Sequence, residues 1–204
     1  MARILLARHG ATAWSENEAR YCGSTDLPLS EAGHQQAAAL AHRLHSEPLA
    51  AVIATGLARS EETARPIAHD HGLEVEVVGE LRELDYGEWE GLTRAEIQQR
   101  YPDAFREWTN DVVRVSVPGG ESLRGLLDRA LPAILGLAER FGDQPIAVIG
   151  HNTTNRVLLC HLLDVPVAHY RRILQSPTGL NIIDLEGDRT CVLAINECCH
   201  LRGL

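Results

Sequence analysis

The sequence predicts an α/β fold, a three-layer α/β/α sandwich with a mostly parallel central sheet and a small helical lid insert. Short apolar, β-branched runs alternate with helical patterns along the chain, which is typical of strands joined by covering helices. Two of these runs, at 4–6 and 146–149, are continuously apolar, as central strands buried on both faces are. A length of 204 residues fits a single domain with at most a small subdomain.

Six apolar runs have the length of strands, and most are bounded by turn or charged residues. They lie at 4–6, 51–53, 75–78, 146–149, 181–183 and 191–193. Helical patterns lie between them, from an N-cap at Ser30 to Leu44 and at 58–69, 122–141 and 154–163. This order predicts helices on both faces of the sheet, with the first and fourth strands at its centre.

The stretch at about 86–120 interrupts this alternation. Thr93 and Glu96 have the spacing of a capping box, Pro102 marks a helix start, and 118–120 reads Pro-Gly-Gly, a terminating loop. We interpret it as a lid subdomain within one domain that spans 1–204. The stretch holds five of the nine aromatic residues: Tyr86, Trp89, Tyr101, Phe105 and Trp108. Packing into a mini-core is the favoured interpretation, and a platform for an apolar part of a substrate is the alternative.

The composition excludes several classes of protein. All 19 basic residues are Arg, so mechanisms that need a lysine amine or a phosphate-loop lysine are excluded, which removes Schiff-base and pyridoxal phosphate enzymes, Walker-type hydrolases and protein kinases. The net charge of −9 argues against a nucleic-acid partner. The apolar run in the first ten residues is too short for a signal peptide or a membrane span, so we expect a cytoplasmic protein with no membrane partner. Five Cys without a C-x-x-C fit a reducing compartment.

Histidine, arginine and carboxylate side chains follow several predicted strands. They occur at 8–10, 55–59, 81–83 and 150–152. In open parallel sheets ligands bind beyond the carboxyl ends of the strands, so these segments should meet. Guanidinium groups bind phosphoryl oxygens, an imidazole can attack phosphorus, and a carboxyl group can protonate the departing oxygen. The set predicts phosphoryl transfer through a phosphohistidine, a scheme that needs no metal.

The same segments resemble the histidine phosphatase superfamily, in its phosphoglycerate mutase-like branch. Matching stretches follow in that family's order at 6–14 (LARHGATAW), 26–33, 57–64, 81–83, 86–91, 118–122 and 150–152. The resemblance implies a phosphoric monoester hydrolase without cofactor or metal. It implies His9 as nucleophile, Arg8, Arg59 and His151 as the phosphate pocket, and Glu83 as proton donor.

These roles set two expectations for the imidazoles. His9 must present a free ring nitrogen, and a backbone carbonyl that accepts from its other nitrogen would fix the tautomer. His151 would add a donor if it were protonated. We therefore expect the environments of the two residues to push their pKa values apart.

Four outer positions are assigned to substrate binding: Ser15, Asn17, Arg20 and Asn152. Ser15 stands where the family often has Asn, and the spacing to Arg20 is one residue longer. Asn17 could compensate for this change, or Ser15 could supply a weaker hydrogen bond. Asn152 stands where Gly is frequent, and its backbone N–H could still face the phosphate.

The predicted reaction is hydrolysis of a small phosphate monoester, with release of inorganic phosphate. A cofactor-primed phosphoglycerate mutase is the alternative, although mutases of this family are usually longer. A phosphoprotein phosphatase or a non-catalytic phosphate-binding domain is the second alternative, and the latter predicts loss of His9, Glu83 or a pocket arginine, all of which are present. Sugar phosphates, phosphoglycerates, phosphoserine, α-ribazole phosphate and nucleotide phosphates all stay open as substrates, and so does a homodimer.

Overall fold

A computed structural model describes residues 1–16, 19–186 and 189–204 of the chain. Its strands are β1 (Ala2–Arg8), β2 (Ala51–Ala54), β3 (Val75–Val77), β4 (Ile146–Gly150), β5 (Leu180–Glu186) and β6 (Arg189–Glu197). Its helices are α1 (Ala13–Glu16), α2 (Glu31–Leu44), α3 (Ala58–His71), α4 (Arg94–Arg100), α5 (Pro102–Asn110), α6 (Leu123–Phe141) and α7 (Asn152–Leu162). None of the helices in these ranges combines the length and apolar character needed to cross a bilayer.

The strands form one sheet in the order β3-β2-β4-β1-β5-β6. β1 pairs in parallel with β4, which places Arg8 opposite Gly150, and β2 pairs in parallel with both β4 and β3. β5 is antiparallel to both β1 and β6, so it alone runs against the other described strands. The sheet is therefore mixed but mostly parallel. The predicted central position of the first and fourth strands is confirmed.

Alternating side chains of β1 enter two separate apolar clusters. Leu5 and Ala7 pack in the cluster that contains the buried faces of α2 and α3. Ile4 and Leu6 pack in the cluster that contains α6 and α7. Because successive strand residues point to opposite faces, helices cover both sides of the sheet. The predicted three-layer sandwich is confirmed.

The loop after β1 lies directly against the first turn of α2. The hydroxyl of Ser30 caps this helix by accepting from the N–H of Gly33, at 3.1 Å. A Cβ added to Gly10 would lie 2.6 Å from the carbonyl oxygen of Gly33, and one added to Gly33 would overlap the carbonyl of Ala11. Glycine at these two positions thus lets the backbone that carries residue 9 approach α2 closely.

The aromatic residues of the insert pack on one another. The Trp89 and Trp108 rings meet edge to face with centroids 5.3 Å apart, and Phe105 lies 5.9 Å from Trp89. All three belong to the cluster that includes α6, so they continue the main core as well as folding the insert. Thr93 forms the predicted capping box and Pro102 begins α5. That the insert acts as a lid stays a prediction.

We predict opposite effects for two helical glycine substitutions. Gly33→Ala should lower the free energy of unfolding by about 1–3 kcal/mol, because the new methyl group meets backbone that cannot rotate away. Gly136→Ala is the control, because this residue is exposed within α6 and nothing lies within 4 Å of the new carbon. This change should raise the free energy of unfolding by about 0.5–1 kcal/mol. Urea unfolding of both variants measures this, and equal shifts would contradict the close approach.

Candidate active site

The pairing of β1 with β4 brings two imidazoles together. Arg8 and Gly150 are the last residues of these strands and lie opposite each other. His9 and His151 follow one residue later, and the N–H of His9 donates to the Gly150 carbonyl at 3.1 Å. The ring centroids of the two histidines are 5.2 Å apart. The structure thus brings these two predicted residues together at the carboxyl edge of the sheet, as expected for a ligand site.

His9 presents one ring nitrogen with a free lone pair. Its Nδ1 lies 2.7 Å from the carbonyl oxygen of Gly10, which can only accept, so Nδ1 carries the proton and Nε2 does not. Burial, followed by the positive charges of Arg8 and Arg59, holds the pKa of His9 well below its ordinary 6.5. The expected carbonyl contact is present, and the imidazole is neutral at pH 7.

Two guanidinium groups beside His9 are held by backbone carbonyls. Arg59, which is 1% exposed, donates to the carbonyls of Thr25 at 2.8 Å and Gly23 at 2.7 Å. Arg8 donates to the carbonyl of Gln175 at 2.8 Å, and burial lowers the pKa of Arg8 to about 10. The Nε atoms of both arginines are buried and have no hydrogen-bond partner among the described residues. Both groups therefore keep donors unsatisfied close to His9.

His151 is fully buried, and its Nε2 lies 2.8 Å from the hydroxyl oxygen of Thr55. Its Nδ1 is buried without a partner in the described part of the chain. Burial, then the charge of Arg59 and the neighbouring His9, holds the pKa of His151 well below 6.5. The structure thus lowers the pKa of both rings, and that the two values diverge stays a prediction. The physical reason for the common lowering is that both rings share the same burial and the same cations.

Glu83 is fixed at the first turn of α7. The N–H of Thr153 donates to its Oε2 at 2.9 Å, and the N–H groups of Thr154 and Leu84 donate to its Oε1 at 3.1 and 2.9 Å. A helix N-terminus favours a carboxylate because its amide dipoles point toward the charge. His151 is the N-cap residue of the same helix, so the start of α7 positions both side chains.

A cavity of about 480 Å³ opens beside His9. Its lining includes six of the predicted site residues: Arg8, His9, Ser15, Arg20, Glu83 and Asn152. Arg59 and His151 are buried at the site without lining this cavity, and Asn17 lies outside the described residues. Within the described ranges, no three His, Cys, Asp or Glu side chains form a group that could hold a metal ion.

The outer predicted residues are mostly engaged in local contacts. The hydroxyl of Ser15 accepts from the N–H of Thr12 at 2.8 Å and donates to its carbonyl at 3.0 Å, so it closes its own turn. Arg20 donates to the carbonyl of Gly91 at 2.7 Å and to Glu96 at 3.0 Å, which ties it to the insert. The Oδ1 of Asn152 is buried and finds no partner among the described residues.

Several cavity residues were not predicted from the sequence. They are Trp14, Tyr21, Arg94, Thr153, Arg156, Tyr170 and Arg171. Thr55, which contacts His151 without lining the cavity, was not assigned to the site either. Thr55 directly follows β2, so its strand-end position was a usable signal. Arg156 lies four residues after Asn152 on α7, which puts the two on one helix face. Tyr170 has no such local signal. Of the five aromatic residues in the insert, Tyr86 lines the cavity.

The fold and this site define a phosphoryl-transfer enzyme in which paired imidazoles lie among buried arginines. Residues 4–198 match the family described as the histidine phosphatase superfamily (branch 1). The chain therefore belongs to this family. It is a phosphatase that hydrolyses phosphate monoesters, as the sequence predicted.

Relatives and solved structures are similar along nearly the whole chain. The chain is 32% identical over 201 residues to phosphoserine phosphatase 1 of Hydrogenobacter thermophilus, covering 98% of this chain and 95% of that protein. The structure of YhfR from Bacillus stearothermophilus has a TM-score of 0.90 at 28% identity, covering 98% of this chain and 100% of that one. The structure of a mycobacterial glucosyl-3-phosphoglycerate phosphatase in complex with inorganic phosphate has a TM-score of 0.83 at 28% identity, covering 97% of this chain and 98% of that one.

The lowered pKa values of His9 and His151 predict that the free energy of unfolding decreases as the pH is lowered below 6.5. Above this value both rings are neutral in the folded and unfolded chains, so they add no pH dependence. Below it the unfolded chain binds protons that the folded rings do not, and each ring contributes a slope of up to about 1.4 kcal/mol per pH unit until its folded pKa is reached.

Urea unfolding between about pH 5 and 7.5 measures this slope. His151→Gln should reduce the slope of the free energy of unfolding against pH by the contribution of one ring. His69→Gln, a matched change at a side chain that is 90% exposed, should leave it unchanged. Equal slopes for the wild type and His151→Gln would contradict the lowered pKa.

Proposed function

We propose that the chain hydrolyses a small phosphate monoester through a phosphohistidine on Nε2 of His9, without a metal ion. One observation carries this proposal: the Nε atoms of Arg8 and Arg59 and Nδ1 of His151 are buried and unpartnered within the described residues. Buried polar atoms normally find hydrogen-bond partners, and a phosphoryl group offers several charged oxygens. The nucleophile needs a free lone pair, and the contact of His9 Nδ1 with Gly10 leaves one on Nε2.

In the first half-reaction, Nε2 of His9 attacks phosphorus in line with the ester oxygen. The phosphorus–nitrogen bond forms while the phosphorus–oxygen bond to the leaving group breaks. Glu83 gives its proton to the departing oxygen, which leaves as a neutral hydroxyl. Arg8 and Arg59 stabilise the charge on the equatorial oxygens, and their carbonyl contacts hold them in place before substrate arrives.

The bound phosphoryl group also changes the protonation of His151. Its negative charge opposes the effect of burial and of Arg59, which hold the pKa of His151 low. The ring then takes up a proton and becomes a donor to a phosphoryl oxygen, through the nitrogen that has no partner in the described part of the chain. The difference in pKa that we expected between His9 and His151 thus arises when the phosphoryl group is bound.

In the second half-reaction, the Glu83 carboxylate takes a proton from a water molecule. The water oxygen attacks phosphorus, the phosphorus–nitrogen bond breaks, and its electron pair returns to Nε2 of His9. Inorganic phosphate leaves, and Glu83 is protonated again for the next cycle. The names of the phosphoserine and glucosyl-3-phosphoglycerate phosphatases support hydrolysis of a small monoester, as does the phosphate complex of the latter.

The nucleophile is tested by His9→Ala. This variant should lose phosphate release from a panel of monoesters by at least about 10³-fold, and it should lose the acid-labile phosphoprotein, because no nitrogen remains to carry the phosphoryl group. His42→Ala, an exposed residue of α2, should keep both. Phosphate assays and rapid quenching in alkali, in which phosphohistidine is stable, measure the two effects.

Other outcomes would contradict particular parts of this proposal. A labile label that persists in His9→Ala would place the nucleophile elsewhere. Loss of wild-type turnover with a chelator would refute the metal-free scheme. Isomerisation primed by a bisphosphate, without hydrolysis, would favour a mutase.

Glu83→Gln tests the proton donor. The variant keeps the size of the side chain but has no acidic proton, so alkyl phosphates should slow by about 10²–10⁴-fold. Aryl phosphates with activated leaving groups need no proton and should slow far less in the phosphorylation step. Burst kinetics separate that step from hydrolysis of the phosphoenzyme, and equal slowing of the burst for both substrate types would refute the acid role.

A further inference from the structure

Four arginines line the cavity outside the phosphate pocket: Arg20, Arg94, Arg156 and Arg171. The last two come from neighbouring elements. Arg156 lies on α7, and Arg171 lies in the 3₁₀ turn Val167–Arg172. α7 and this turn pack against each other. The charge of Arg171 adds to the lowering of the pKa of Arg156, of which burial is the main cause. Neither forms an ion pair with a carboxylate among the described residues, which contrasts with surface pairs such as Arg124 with Asp128.

Arg171 is held in a fixed position. Its guanidinium lies over the ring of Trp108, with 5.1 Å from Cζ to the ring centroid, and its Nε donates to the hydroxyl of Tyr170 at 3.0 Å. Arg156 has no comparable support: its Nε is buried and has no partner in the described part of the chain. Two neighbouring cations in a partly desolvated cavity repel each other, and this cost is offset when an anion lies between them.

The position of Arg156 relative to Glu83 places this pair at one particular side of the site. Arg156 follows one turn after Thr153 on α7, the N–H of Thr153 donates to Glu83 at 2.9 Å, and all three residues line the cavity. Glu83 is the proposed proton donor, so it lies beside the oxygen of the leaving group. Arg8 and Arg59 are already assigned to the oxygens of the transferred phosphoryl group. Arg156 and Arg171 are therefore available to the leaving group itself.

We propose that Arg156 and Arg171 bind a carboxylate on the leaving group, so that the substrate is a phosphorylated hydroxy acid. This inference rests on the proposed function and adds the chemical class of the alcohol. Guanidinium groups match the planar shape of a carboxylate with paired hydrogen bonds. A second phosphate offers similar charge, so the experiment includes it.

The experiment compares matched substrates that differ in the charge of the leaving group. O-phosphoserine, 3-phosphoglycerate and 2-phosphoglycolate are each measured beside their methyl esters. Fructose 1,6-bisphosphate is measured beside fructose 6-phosphate, and p-nitrophenyl phosphate reports the basal chemistry. For the wild type, kcat/KM of at least one acid should exceed that of its ester by about 10–100-fold, which is the effect expected of charged hydrogen bonds.

Arg156→Gln and Arg171→Gln should each lower kcat/KM for the preferred acid by about tenfold. Both variants should leave the methyl ester and the aryl phosphate within about twofold, since neither substrate carries the anionic group. Arg106→Gln removes the same charge from a side chain of α5 that is 70% exposed, and it should change none of these values. Thermal unfolding checks that the variants fold, and Arg156→Gln leaves the stacking of Arg171 on Trp108 in place.

Three results would overturn the inference: acids and esters hydrolysed equally by the wild type, an acid preference that survives both substitutions, or a preference confined to the bisphosphate. Each of these results counts against the inference only if the wild type hydrolyses the aryl phosphate. If the wild type did not hydrolyse the aryl phosphate, the proposed function itself would be refuted. Failure of the inference and failure of the proposed function are therefore distinguishable.

Discussion

Buried positive charge beside a neutral imidazole is the constraint on which the site depends. Taking a guanidinium out of water is costly, and Arg59 recovers part of this cost from the carbonyls of Gly23 and Thr25, at about 1.5–3 kcal/mol for each charged hydrogen bond. The carboxylate of Glu90 accepts from the N–H groups of the same loop, at 2.9 Å for Gly23 and 3.2 Å for Thr25. A cation and an anion thus both hold the loop at 23–25 through its backbone, which links the insert to the phosphate pocket.

The beginning of α7 is the second organising feature. His151 is its N-cap, the N–H groups of Thr153 and Thr154 hold Glu83, and Arg156 follows one turn later. One rigid element therefore positions three groups of the proposed mechanism. They are His151, which donates a hydrogen bond to the phosphate, the proton donor Glu83, and Arg156, which contacts the leaving group. A shift of α7 against the sheet would displace all of them together. The pairing of β4 with β1 opposes such a shift, because α7 continues directly from β4.

The features that the sequence predicted are those that local patterns determine. Apolar runs located the strands, and Ser30 is the N-cap that its position indicated. His9 and His151 were predicted because each directly follows a strand. The low pKa of His151 could not be predicted, since it depends on burial and on how many distant cations surround the ring. The position of Tyr170 in the cavity wall depends on the path of a connection that has no periodic signal.

The use of arginine alone fits the electrostatics of this site. Burial lowers the pKa of Arg8 from its ordinary value to about 10, so the group stays charged at pH 7. The pKa of a lysine begins lower, at about 10.4, so burial at this position would bring it closer to pH 7 and favour the neutral amine. A lysine also offers one nitrogen, whereas the guanidinium of Arg59 donates to two carbonyls and keeps its Nε–H unsatisfied. The fold can therefore fix its phosphate-binding cations through the backbone and still leave donors for the anion.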